Sequence, residues 1–356
     1  MSFTSKERII AAFDHREADR APMWDYPWGT ALERWKKEGL PADADFNTYF
    51  KIDAAHTTGV DLSFQFPVEP VEETEEYTII RNSYGALEKQ LKHQVGTPHW
   101  WDFKLTDRAS WEELKPRLAW NERRVDLAKA RAAYEANREK YQIYCEPSVG
   151  FEVFKYAMGM EGILMAFAED PDWVREMCMA TAELAINGLE HLRAKGFEFD
   201  AAIIYEDNGY KGRSFVSPQV YRDVVMPAQK RYCDFCHARG MRTILHTCGY
   251  NMELVPIYVE SGFDCLNPLE VKAGMDPLKL KKDFGDVLVL WGGIDVRKIA
   301  DPDPAVLEKE IREKLPVLKK GGGYIFASDH SLADNISLRQ FQWMLELRER
   351  YGGYGK

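Results

Sequence analysis

"MRTILHTC", residues 241–248, is the stretch on which the fold turns. Thr243, Ile244 and Leu245 make a short β-branched and apolar run that ends in His246 and Cys248, with Gly249 next. Unbroken apolarity over so short a run suits a strand buried on both faces, as in a parallel sheet covered by helices. Before it lies "SPQVYRDVVMPAQKRYCDFCHARG" at 217–240, which reads as an amphipathic helix opened by Ser217-Pro218 and closed by Gly240.

The same alternation recurs from about residue 140 onward. Further apolar runs are "YQIYCEP" at 141–147, "DAAIIYED" at 200–207, "DCLNPLE" at 264–270, "VLVLWGGID" at 287–295 and "GYIFASDH" at 323–330. Helical stretches such as "PDWVREMCMATAELAINGLEHLRAKG" and "DPAVLEKEIREKLPVLKKGG" separate them, with Asp301-Pro302 as a second cap pair and Gly196, Gly262 and Gly321 after helix-like segments. Two earlier runs, "RAPMWDYP" and "GVDLSFQFP", bring the strand count to eight, the number that closes a (β/α)8 TIM barrel. The expected fold is therefore α/β, a single barrel domain spanning 1–356 with an N-terminal hairpin/helix insertion at about 66–140. In that insertion "EEYTIIRNSYGALEKQLK" reads as a hairpin turning near Asn82-Ser83-Tyr84-Gly85, followed by a tryptophan-rich loop and a charged helix at 122–140.

Composition narrows the function. Of 356 residues, 45% are hydrophobic and 29% charged, as in an ordinary globular protein, and 47 Lys and Arg against 57 Asp and Glu give a net charge of −10. That balance argues against a nucleic-acid partner, which needs clustered cations to neutralise phosphates. The start, "MSFTSKERIIAAF", has no apolar signal region and no run is long enough for a membrane span, so a cytoplasmic location is expected. The six cysteines are irregularly spaced and make no disulfide framework. Cys233-Asp-Phe-Cys236-His237 matches the haem-attachment pattern in form, but inside a helical stretch it reads as two cysteines on adjacent turns.

In a barrel of this kind the chemistry sits at the C-terminal ends of the strands. The polar residues there are Asp25, Glu146, Tyr205, Glu206, Asp207, His246, Cys248, Asn267, Glu270, Asp295, Asp329 and His330. His246 and Cys248, two apart on an extended chain, point the same way and can share one ion. With Glu270 and His330 on other strand ends they form a mixed N/S/O set that suits zinc better than magnesium or calcium. The bland alternative is a small buried Cys248 beside a hydrogen-bonded His246.

The opening "RIIAAFDHREADRAPMW", "CLNPLEVKAGMD", "LVLWGGIDVRKIAD" and "GGGYIFASDHSLADNIS" closely resemble the uroporphyrinogen decarboxylase superfamily over nearly the whole chain. That resemblance implies a (β/α) barrel and either of two activities, decarboxylation of uroporphyrinogen or zinc-dependent methyl transfer linked to corrinoid proteins. The decarboxylases carry an "RQAGR"-like arginine segment after the first strand and an "FSDI"-like segment after the second. This chain has "WDYPWGTALERW" and "LSFQFPVEP" in those places. His246-Thr-Cys248 is similar to the methyltransferases' His-x-Cys, and Glu270 falls where the related cobalamin-independent methionine synthases place a glutamate ligand. The departure is "ASDHSLADNIS", which presents His330 where the methyltransferases have a "PGC"-like cysteine.

The resemblance thus implies zinc held by His246, Cys248, Glu270 and His330, and a methyl group passed from a small O- or N-methylated donor, such as a methoxylated arene, to a corrinoid on a separate partner protein. Catalytic roles fall to Tyr205, Glu206, Asp207 and Asp329, and substrate contacts to Trp24, Asp25, Tyr26 and Asn267. An aromatic wall of Trp24, Tyr26, Trp28, Phe64, Phe66, His99, Trp100, Trp101 and Phe103 is expected near the mouth, unless those rings pack the insertion onto the barrel. The competing readings are a metal-free decarboxylase or lyase using Asp207 and His330, and a non-catalytic binding barrel.

Overall fold

The computed structural model describes residues 3–93, 96–146 and 148–354; Pro147, the last residue of the 141–147 run, lies outside them. Thirteen strands occur among the described residues, β1 Ala55–Thr58, β2 Glu69–Glu73, β3 Tyr77–Arg81, β4 Leu87–Leu91, β5 His99–Trp101, β6 Tyr141–Glu146, β7 Ala201–Tyr205, β8 Gly209–Tyr210, β9 Arg213–Ser214, β10 Arg242–His246, β11 Cys265–Asn267, β12 Val289–Trp291 and β13 Tyr324–Ile325. Seven of them form one curled parallel sheet in the order β1-β6-β7-β10-β11-β12-β13, so each run from 141 onward is a strand of the expected sheet.

The two N-terminal runs came out differently. The strand expected at 59–67 lies earlier, as β1, and the segment after it is irregular. The 20–27 run holds only single bridges, Met23 to Phe326 and Pro27 to Leu332, both parallel. Phe326 N–H donates to Pro22 O at 2.8 Å on one side, and Asp53 N–H to Met23 O at 2.7 Å on the other, so residues 22–24 run between the β13 edge and the β1 edge.

Alternation along the strands sorts side chains onto two faces. Ile143, Ala201, Ile203, Ile244, Cys265, Val289 and Ile325 pack together on the inner face, whereas Ala202, Ile204, Leu245, Leu266 and Leu290 join the larger core beneath the helices. The helix Pro171–Ala194 shows how that outer layer is specified. Asp170 caps it by accepting from Trp173 N–H, Pro171 fills its first turn, and one face, from Trp173 to Leu192, is buried. The helix at 304–319 starts two residues later than expected, because Asp303 and Pro304, not Asp301 and Pro302, form the cap pair. In the stretch 217–240, Pro227 interrupts the ladder because it has no N–H to give, and the preceding turn, Tyr221–Val225, widens to π geometry. Cys233 and Cys236 are buried on that helix, as two cysteines on adjacent turns should be.

The insertion is more ordered than expected. The hairpin of β3 and β4 turns at Asn82–Gly85, where Gly85 has φ 89°, but β2 and β5 extend it to a four-stranded antiparallel sheet in place of a tryptophan-rich loop. The charged segment after it breaks into Glu122–Arg124 and Leu127–Ala136. At the opposite end of the site, two loops meet without side chains between them. A Cβ on Gly249 would lie 2.1 Å from the carbonyl of Gly209, and one on Gly209 would lie 2.5 Å from that of Tyr250. No helix among the described residues is long and apolar enough to cross a membrane.

Candidate metal centre and substrate cavity

Register brings the central residues into one row. Tyr205, His246 and Asn267 pair across β7, β10 and β11, so their side chains leave the sheet on the same inner face. Asn267 Nδ2–H donates to Trp291 O at 3.2 Å, which fixes the amide so that Oδ1 meets His246 Nδ1 at 2.6 Å. That carbonyl oxygen can only accept, so Nδ1 carries the proton and the Nε2 lone pair is left free. Nε2 faces Cys248 Sγ at 3.6 Å. Burial, more than any neighbour, holds the His246 imidazole below its usual range and therefore neutral, the form a metal requires.

The third group is Asp207. Its Oδ1 accepts from Cys248 N–H at 2.8 Å, and ligand-capable atoms of Asp207, His246 and Cys248 all lie within 4.8 Å of one another. Glu270 is adjacent but engaged elsewhere, with Oε2 accepting from Gly249 N–H at 2.6 Å and Oε1 3.2 Å from Lys272 Nζ. Burial pushes the Cys248 thiol well up, and the negative charges of Asp207 and Glu270 add to the effect. So placed, the thiolate lacks a counter-charge, and a bound cation is what would supply one. His330 completes the ring on the far side, its Nδ1 only 3.4 Å from Ser331 O and its imidazole edge-on to Trp28 at 5.8 Å. It lies outside the group of three that the ligand-atom distances bring together.

Adjacent residues at the end of β7 have opposite fates. Asp207 faces the cluster, whereas Glu206 points beneath the helix at 152–169, accepting from Ser148 Oγ and, at 2.8 Å each, from the N–H groups of Phe151 and Glu152. Buried there, its carboxyl is pushed up to about 8. Glu206, expected among the catalytic groups, thus organises the helix start. Asp329 is used similarly, with Oδ1 accepting from Val296 N–H at 2.8 Å and Oδ2 from Lys272 N–H at 3.2 Å. Both of its oxygens hold loops together. Tyr205 tilts against His246 at 4.7 Å between ring centroids.

The expected substrate contacts divide too. Trp24, Asp25, Tyr26, His246, Cys248, Asn267, Trp291 and His330 all border a small cavity of about 60 Å³. Trp24 stacks on Trp291 at 4.1 Å, and Asp25 is buried with Oδ1 and Oδ2 taken by Ser328 Oγ and N–H, so these two build the floor. Asn267 orients His246. Above lies a cavity of about 750 Å³ bordered by Asp207, His330, Trp28, Tyr84, Trp100 and Tyr156, with Glu88, Glu152, Lys155 and Lys272 among its charged lining. Of the expected aromatic wall, Trp28 and Trp100 face this space, while Phe64 is core and Phe103 fills the notch left by Gly159 in the helix at 152–169. Glu152, Lys155 and Tyr156 escaped the sequence reading, which searched strand ends; their i, i+3, i+4 spacing in "FEVFKYAM" was the available signal.

The sequence profile of uroporphyrinogen decarboxylase matches residues 149–351, more than half of the chain. This protein belongs to the uroporphyrinogen decarboxylase family. No curated protein sequence matches it. Among solved structures, a methyltransferase from Methanosarcina mazei superposes with a TM-score of 0.63 at 15% identity, covering 98% of this chain and 99% of that one. At that identity the likeness speaks for a shared fold. A 3-keto-D-glucoside 4-epimerase from E. coli, 11% identical with a TM-score of 0.35, covers 63% of this chain and 84% of its own, a likeness too slight to bear on function. His246 at the end of its strand, with Asp207 and Cys248 two residues beyond theirs, thus brings ligand-capable atoms within 4.8 Å of one another.

Proposed function

We propose that this family member is a zinc-dependent methyltransferase that moves a methyl group from a small O- or N-methylated donor to a corrinoid carried by a partner protein. The observation that carries the reading is the convergence of Asp207, His246 and Cys248, with Asn267 holding the imidazole so that Nε2 faces the thiol. The donor set of one nitrogen, one sulfur and one carboxylate oxygen fits zinc, and Glu270 and His330 flank it. When bound, zinc supplies a Lewis acid that polarises the donor's heteroatom. We further propose that residues 22–24 close the sheet as the eighth strand of a single barrel, with the antiparallel sheet of residues 69–101 roofing its mouth.

The chain's own residues do the rest. Trp24 and Trp291 form an apolar floor that excludes water from the small cavity. When the methyl–heteroatom bond breaks, its electron pair would stay on the heteroatom, and a reduced corrinoid on the partner would supply the nucleophile that accepts the methyl carbon. His330 borders both cavities and has one long hydrogen bond, so it is placed to give a proton to the leaving heteroatom.

Metal content of the purified protein tests this, measured beside a His246→Ala, Cys248→Ala double variant. About one zinc per chain, lost in the folded variant, supports the reading. A well-folded protein that takes up no metal after incubation with zinc overturns it, and shifts the assignment to a metal-free decarboxylase or lyase using Asp207 and His330.

A further inference from the structure

The large cavity has a polarity of its own. Tyr156 is its hub, with Tyr84 at 5.6 Å and Trp100 at 5.1 Å between centroids, the latter edge to face. Trp28 borders the same space near His330. Beside these rings sits the Glu88 carboxylate, whose Oε2 accepts from Trp100 Nε1–H at 3.0 Å and from Asn82 Nδ2–H at 3.1 Å. Both donors are neutral, and they hold the group while leaving its charge uncancelled. No hydrogen bond engages Oε1 among the described residues, and the residue borders the cavity.

The other charges around the cavity are spoken for. Lys155 is ion-paired with Glu152 and lies over the Tyr156 ring at 5.2 Å, Lys272 lies 3.2 Å from Glu270 Oε1, and Asp207 belongs to the candidate metal cluster. Glu88 forms no ion pair among the described residues. A carboxylate without a cation beside Tyr and Trp rings is the chemistry that binds an alkylated ammonium group, whose diffuse charge interacts with aromatic rings and loses little hydration. An anionic arene would meet Glu88 unfavourably.

We propose that the donor carries a cationic alkylammonium head, held by Glu88, Tyr84 and Trp100, while its methylated heteroatom reaches the Asp207–His246–Cys248 end of the cavity, where Trp28 stands beside His330. This rests on the methyltransferase reading for what happens at that far end. The head is not itself the methyl source, because a quaternary nitrogen has no lone pair to present to a metal. The donor is therefore bifunctional, with the recognised cation and the reacting ether or amine at opposite ends.

The test compares choline with its uncharged isostere 3,3-dimethylbutan-1-ol, titrated into the full zinc-incubated chain by calorimetry. Choline is expected to bind about tenfold or more tightly than the alcohol. In Glu88→Gln, and separately in Trp100→Phe, that preference shrinks towards parity while the zinc content stays at the wild-type level. Equal binding of the two probes, or stronger binding of 4-methoxybenzoate than of choline, overturns the proposal, as does an undiminished preference in folded Glu88→Gln. The metal measurement is separate. Zinc present with no choline preference removes this inference alone, and a choline preference without zinc uptake removes the methyltransferase reading alone.

Discussion

The parallel sheet and the antiparallel sheet over it divide the work of the site. In the first, side chains are fixed by register, so Tyr205, His246 and Asn267 fall in one row because their strands pair in parallel. In the second, β2 is exposed along its whole length and β3 and β4 are only half-buried. Its contribution is a set of rings and one carboxylate facing a cavity. On the proposed reading, the reacting groups stand on the buried frame, and Glu88 and Trp100, the groups that would recognise the donor, stand on an element with little core of its own. Chemistry and selectivity should therefore respond to mutation separately.

The largest effect expected is from the His246→Ala, Cys248→Ala pair, which should abolish metal binding, read by elemental analysis, without loss of helical circular dichroism. Retained metal would mean that the frame does not hold the ion. Next, Trp291→Ala should destabilise the protein by about 3–5 kcal/mol in denaturant unfolding, since its ring is stacked on Trp24 and buried. Asn267→Ala frees the imidazole to turn, and should weaken metal affinity by about 10- to 100-fold with a smaller effect on stability. An equal loss of stability and affinity would make Asn267 merely structural.

A pH test probes the frame from behind. Glu146, at the end of β6, is fully buried and forms no ion pair among the described residues, and burial pushes its carboxyl well above the ordinary value of 4.5. The folded state keeps that proton where the unfolded state has released it, so stability should fall as pH rises above about 4.5, until the buried group itself ionises. Chemical denaturation at several pH values should show this slope reduced in Glu146→Gln. The smallest effect belongs to the other sheet, where Val71→Ser on exposed β2 should change stability by no more than about 0.5 kcal/mol. A larger loss there would show that the antiparallel sheet is part of the frame.

Legibility in the sequence follows the same division. From residue 141 on, each strand of the parallel sheet lies in an apolar run that ends in a polar residue, whereas the two-residue strands β8 and β9 gave no such signal. His246 and Cys248 could be paired from spacing alone. Asp207 could not be separated from Glu206, because strand periodicity ends at Tyr205 and the direction of each carboxylate depends on Ser148 and the amides of Phe151 and Glu152, more than fifty positions away. Nor could Glu270 be placed, since its oxygen is drawn to Gly249 N–H by the loop path. Residues 20–27 and 59–67 misled for a related reason. Both are apolar, but one meets its neighbours through single bridges and the other follows a strand without being one.

The contact between Gly209 and Gly249 has a consequence for anyone who would alter this protein. The loop carrying Asp207 and the loop carrying Cys248 touch backbone to backbone, so the spacing of the two groups is set where there is no side chain to vary. A mutant library that randomises Asp207, His246 and Cys248 and keeps both glycines would sample new chemistries on one scaffold. A library that spares those three and randomises the glycines would sample only displaced copies of the old one.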